Sequence, residues 1–121
     1  MTTESKRQQK FGKIIQQDLG DIFLREGGSW LPGVMITVTN VRVTSDLGIA
    51  RVYLSFLSAK SSQEAIDQIR SRTSEIRYKL GNKIKNQAKS VPNLEFFVDD
   101  SQEYREHIDK LFGEINKDKE D

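Results

Sequence analysis

Residues 61–89 read SSQEAIDQIRSRTSEIRYKLGNKIKNQAK. Within them Ile66, Ile69, Thr73, Ile76, Leu80 and Ile84 recur at spacings of three and four, which at 3.6 residues per turn is one apolar stripe along a helix or helix pair. Ser61-Ser62-Gln63-Glu64 supplies a start signal, because a serine cap and a glutamate three residues on each satisfy an orphan amide of the first turn. Ser90-Val91-Pro92 supplies the stop, since the residue before a proline is pushed out of helical geometry. As one straight helix, residues 62–89 would reach roughly 42 Å at about 1.5 Å per residue, longer than a small domain is wide, so a bend is expected.

The same stretch is strongly basic. Arg70, Arg72, Arg77, Lys79, Lys83, Lys85 and Lys89, seven bases, stand against Glu75 alone, a local charge of +6. On an ideal helix Arg72, Lys79 and Lys83 fall along one edge of the stripe, Arg70 and Arg77 along the other, and Lys85 and Lys89 face outward. Lys6, Arg7, Lys10 and Lys13 form a second, weaker basic cluster, whereas residues 99–121 hold nine acids and four bases, or −5. The formal net charge of +1 therefore conceals a dipole, and blocks of this kind concern partners rather than fold.

Working outward, Phe11, Ile14, Ile15, Leu19, Ile22 and Phe23 predict a first helix over about residues 6–25, stopped by Gly27-Gly28. Trp30, in the loop up to Gly33, either closes over the core or offers a flat surface to a base. Val34, Ile36 and Val38 alternate, then Val41 and Val43 alternate in the opposite phase, so a strand over 34–43 carries a bulge near Thr39-Asn40. After the turn at residues 44–48, Ala50, Val52, Leu54 and Phe56 mark a second strand that completes a hairpin. Leu94, Phe96 and Val98 mark a third strand, which must arrive after the helices. Asp100 to Glu103 has capping-box spacing ahead of a last helix whose apolar face is Tyr104, Ile108, Leu111, Phe112 and Ile115. The pattern predicts a two-layer α+β domain over residues 1–116, with 117–121 a charged fray.

At 121 residues and 36% hydrophobic the chain fits one domain. It has no cysteine, which excludes disulfides and thiolate chemistry and fits a reducing compartment. Its opening residues are polar and no apolar run approaches a membrane span, so a cytoplasmic protein with no membrane contact is expected. Few residues suit catalysis. His107, the only histidine, lies at the edge of the last helix's stripe and reads as a boundary residue. Asp99-Asp100 with Glu103 makes a weak magnesium candidate, because adjacent strand residues point to opposite faces and a helix cap explains Asp100 equally well. No phosphate-binding glycine loop is present, so no enzyme activity, metal or cofactor is expected.

The run 34–55, VMITVTNVRVTSDLGIARVYLS, then Ile76-Arg77, Leu80-Gly81 and 91–101, VPNLEFFVDDS, resembles the ribosome-binding factor A family. The first helix and Ile108-Asp109-Lys110-Leu111 also fit, so the resemblance covers nearly the whole chain. It implies a type II KH-like domain of order α-β-β-α(kinked)-α-β-α, in which a three-stranded sheet is backed by helices. It also implies a monomeric, non-catalytic assembly factor that binds the small (30S) ribosomal subunit and its rRNA, and that assists late 30S maturation and 16S rRNA processing. A role in cold adaptation and release by a ribosome-assembly GTPase belong to the same implication. A typical KH domain grips the nucleic-acid backbone with a Gly-x-x-Gly loop, which is missing here. The family replaces that loop with an Ala-x-Gly kink, where this chain has Arg72-Thr73-Ser74; hydroxyls there can bond back to the preceding turn and bend the helix at Thr73-Ser74. The loop 28–33 also departs from the family pattern, so the resemblance gives Trp30 no role.

The phosphate contacts expected are Arg70, Arg72, Arg77, Lys79, Lys83, Lys85 and Lys89, with Lys6, Arg7 and Lys10 as the second patch; such contacts release counterions and weaken as salt rises. Reversing charge at Lys79 and Lys83 should weaken binding and leave melting unchanged. No aromatic interleaving and no RNP-type signature is read in the basic run, so base stacking is not expected there. The bland alternative is a solvated charged face; the functional one is a protein-binding adaptor of KH-like fold, whose binding would need protein and survive nuclease. Phosphate contacts alone do not separate RNA from DNA.

Overall fold

The first helix, α1 (Lys6–Trp30), begins where Ser5 accepts from the Gln8 amide at 3.1 Å and Gln8 accepts from the Ser5 amide at 2.8 Å, a reciprocal cap. The computed structural model describes residues 4–86 and 90–99. Phe11, Ile15, Leu19, Ile22 and Phe23 are buried along one face of α1, the stripe expected. Gly27-Gly28 does not stop it. A glycine costs a helix about 1 kcal/mol relative to alanine. That cost is offset by contacts further along: Trp30 meets Phe23 edge-on with ring centroids 6.1 Å apart, and Gly27 lets Ile36 approach so closely that a Cβ would lie 3.1 Å from its Cδ1. The helix ends instead at Leu31, whose backbone leaves helical geometry ahead of Pro32. Of the two readings of Trp30, closure over the core is the one realised.

β1 (Met35–Val43) and β2 (Ile49–Leu57) form the antiparallel hairpin. Val38 pairs with Leu54 and Asn40 with Tyr53, so Thr39 is the extra residue of the expected bulge. In the turn, Asp46 accepts from the Thr44 hydroxyl at 2.7 Å and the Gly48 amide at 2.9 Å. Two helices follow, α2 (Ser62–Arg70) and α3 (Thr73–Ile84), and then β3 (Asn93–Val98), which pairs parallel with β2 to give sheet order β1-β2-β3. Helices α1, α2 and α3 pack on one face of the sheet, where Ile15, Leu54, Ile69, Ile76 and Leu80 meet in one core. This is the α+β architecture expected; the last helix, with Asp100, Glu103 and His107, and the fray at 117–121 lie outside the described residues.

The bend between α2 and α3 falls at Ser71-Arg72, just before Thr73-Ser74. Its chemistry is the one anticipated. The Ser71 hydroxyl donates to the Gln68 carbonyl at 2.6 Å and Thr73 to the Arg70 carbonyl at 2.7 Å, satisfying the oxygens that the break exposes. Arg72 leaves helical geometry and lays its guanidinium over Trp30 at 5.5 Å, a tertiary contact that pulls the break upstream.

Candidate nucleic-acid interface

The two basic edges of the central helices emerge as the stripe spacing requires, and each edge meets a neighbour. On the α1 side Arg72 covers Trp30, Lys79 pairs with Glu26 at 2.9 Å and Lys83 with Asp21 at 2.5 Å, which sets α3 antiparallel to α1. On the β3 side Arg70 donates from Nε and Nη2 to the Phe96 carbonyl at 3.1 and 2.7 Å. Arg77 donates to the carbonyls of Pro92 and Val91 at 3.0 and 2.7 Å. The arginines therefore close the free side of β3 and the segment leading into it. A guanidinium has five N–H donors, so each keeps some for a ligand while being held in place.

Lys85 follows α3, exposed and with no ion-pair partner among the described residues; Lys89 lies outside them. Lys6, Arg7, Lys10 and Lys13 are exposed on the first turns of α1 and make no ion pair among the described residues. The Gln8 side chain donates to the Val43 carbonyl at 3.0 Å, which fixes this end of α1 beside the β1–β2 turn. No acid occupies the first turn. Cations at the positive end of a helix dipole are unfavourable by about 0.3–1 kcal/mol each, so Lys6 and Arg7, in the first turn, are not explained by helix stability.

Sequence reading missed Tyr78, which is 72% exposed and sits inside the basic run. With Arg77, Thr73, Asn82 and Asn93 it lines an open groove between α3 and the start of β3. The signal was present: an aromatic off the apolar stripe, flanked by Arg77 and Lys79. Asp99, a magnesium candidate, instead accepts from the Thr39 hydroxyl across the bulge.

The ion pairs correct the expectation for Lys79 and Lys83. Reversing either charge sets carboxylate against Glu26 or Asp21, so melting should fall where the sequence alone predicts no change. The hydrogen bond from Lys83 holds the Asp21 carboxyl below its ordinary value of 3.8, and the bond to Glu26 raises Lys79 above 10.5. Asp18 nearby is raised, chiefly by burial. A lowered carboxylate contributes stability above its unfolded pKa and loses it as pH falls through the folded one; a raised lysine contributes below 10.5 and loses it as pH climbs through its folded value. Lys83→Met should therefore melt below the parent at neutral pH, and the gap in Tm should close as pH drops below about 3.8, as thermal scans in acid will test.

No helix among the described residues is long and apolar enough to cross a membrane. A family model described as ribosome-binding factor A matches residues 7–112. Ribosome-binding factor A of Christiangramia forsetii is 41% identical over 110 residues, spanning 88% of this chain and 82% of that protein. The crystal structure of ribosome-binding factor A from Thermus thermophilus superposes with TM-score 0.64 at 16% identity, covering 75% of this chain and 94% of that one. A Thermus thermophilus ribosome-binding factor A model, fitted into the cryo-EM map of its complex with the 30S subunit, gives TM-score 0.57 at 18% identity over 69% of this chain and 86% of that one. Sequence and fold together place this chain in the ribosome-binding factor A family.

Proposed function

We propose that this chain binds the small (30S) ribosomal subunit and assists late 30S maturation and 16S rRNA processing, its basic side chains meeting rRNA phosphates and catalysing no reaction. The observation that carries the reading is the cluster of Lys6, Arg7 and Lys10, unpaired among the described residues, at the positive end of α1. A phosphate is the ligand that turns its unfavourable self-energy into binding energy. Lys85 and Lys89 are further phosphate contacts in this reading, and Arg70, Arg72, Arg77, Lys79 and Lys83 contribute through the donors their internal partners leave over. Support for the partner comes from the Thermus relative, which was fitted as a 30S complex. Action as a cytoplasmic monomer, release by a ribosome-assembly GTPase and a role in the cold belong to the same reading.

Co-sedimentation with purified small and large subunits across a salt series tests it. The expected result is binding to the small subunit alone, with log K falling linearly in log salt at about −0.7 to −0.9 per phosphate contact. Binding that ignores salt and survives nuclease treatment of the RNA would replace this reading with a protein-binding adaptor.

A further inference from the structure

The groove that Tyr78 shares with Arg77, Asn82 and Asn93 has a volume of about 720 Å³, within the range of about 300–1,000 Å³ that holds small ligands. Its two sides are fixed to each other. Gly81 lets the segment entering β3 press against α3, since a Cβ there would lie 2.9 Å from Val91 Cγ2. Arg77 holds the same segment through the Val91 and Pro92 carbonyls, and the Asn93 amide donates to the Gly48 carbonyl at 2.9 Å. Along α3, Ser74, Tyr78 and Asn82 are four residues apart and form one row, facing an apolar lining from Val91 and Leu94.

We infer that this groove takes one unpaired RNA base, stacked on Tyr78, with its phosphate on Arg77 and its edge on the Asn82 and Asn93 amides. The inference rests on the reading above for the ligand's being RNA, and it adds what phosphate contacts lack, a grip on a base. Three observations select that occupant. Tyr78 is 72% exposed, stacks on no other ring and makes no side-chain hydrogen bond among the described residues, so its face is free for a flat partner. The side-chain amides of Asn82 and Asn93 are likewise unbonded among the described residues, and each offers a donor beside an acceptor, as a base edge does. The third is charge. No carboxylate lines the groove, and Arg77, in no ion pair among the described residues, keeps three of its five N–H donors after serving the Val91 and Pro92 carbonyls. An apolar peptide would leave those donors and both amides unanswered. A duplex fails for a different reason, because a paired base already has both faces stacked and offers none to Tyr78.

The test uses the full chain, a short single-stranded oligoribonucleotide with 2-aminopurine at its centre, and the same strand annealed to its complement. Tyr78→Ala should bind the single strand about tenfold more weakly than the parent, with the salt slope unchanged because stacking releases no counterions. Tyr78→Trp should restore the affinity, and duplex binding should be equal in all three proteins. The parent should quench 2-aminopurine fluorescence and Tyr78→Ala should not, while melting stays the same because the ring is exposed. Equal single-strand affinities, a changed salt slope, an equal loss on duplex, or no single-strand binding by the parent would each overturn the inference. So would loss of Tyr78→Ala from nuclease-treated subunits with RNA binding intact, which would assign the groove to a protein. Co-sedimentation of the parent with small subunits keeps the two readings apart. Subunit binding without a Tyr78 effect overturns this inference alone; a Tyr78 effect on the single strand without subunit binding supports it and overturns the subunit reading.

Discussion

Replacing Lys6, Arg7 and Lys10 together by glutamate is expected to weaken binding to small ribosomal subunits at least a hundredfold near 0.1 M salt while leaving the melting temperature unchanged or higher. The two halves have separate causes. A hundredfold loss is about 2.7 kcal/mol. Three lost phosphate contacts, each aggravated by repulsion between the new carboxylate and the RNA, would supply that much. Stability does not fall, because two of the new acids replace Lys6 and Arg7 in the first turn of α1, at the positive end of its dipole, each change favourable by about 0.3–1 kcal/mol. The salt slope should fall by about 2 to 3, one contact at roughly 0.7–0.9. A variant that binds normally would move the interface to the α3 surface; one that binds weakly and melts lower would show that the cluster has a structural role instead. The same reversal at Lys79 and Lys83 gives no such separation, since Glu26 and Asp21 tie those lysines to folding.

That contrast also marks how far the residues could be read before the structure. Periodicity alone assigned Arg72, Lys79 and Lys83 to one edge of the stripe and Arg70 and Arg77 to the other, and the partners on α1 and β3 follow that division. What lay across each edge was not legible, because it depends on which element packs there. A lysine facing Glu26 and a lysine facing solvent look alike in one dimension. The bulge at Thr39 was legible because a change of phase in Val34 to Val43 has a single geometric solution. The end of α1 and the site of the bend were misjudged for one shared reason, Trp30. Its contacts with Phe23 and Arg72 carry the helix through two glycines and draw the break to Ser71-Arg72, and both are tertiary. Local signals gave the cheaper solution, and packing overrode it.

Leu80→Ala is expected to cost about 3 kcal/mol, within the 2–5 kcal/mol found for buried leucines whose surroundings relax only in part. Leu80 is 0% exposed in the centre of α3 and belongs to the core shared with α1 and the sheet, so the lost methyl groups leave a cavity that water cannot fill. Against a total of about 5–15 kcal/mol this is a large fraction, and for a domain of this size it corresponds to a fall in Tm of about 12–20 °C. Its neighbours on α3 make the loss spread. Arg77, three residues before, clamps the Val91 and Pro92 carbonyls, and Lys83, three residues after, reaches Asp21. Both hold only while the helix between them stays seated. Arg77→Ala alone should cost less, about 1.5–3 kcal/mol for its charge-assisted hydrogen bonds, and hydrogen exchange should locate the damage in residues 91–94 with α1 still protected. If Leu80→Ala instead melts within about 2 °C of the parent, the core around α3 has collapsed onto the cavity, and the basic surface is not braced from beneath as the packing implies. Well below its lowered Tm, the variant should still bind small subunits with near-parental affinity, because Leu80 faces the sheet and none of the charged side chains is altered.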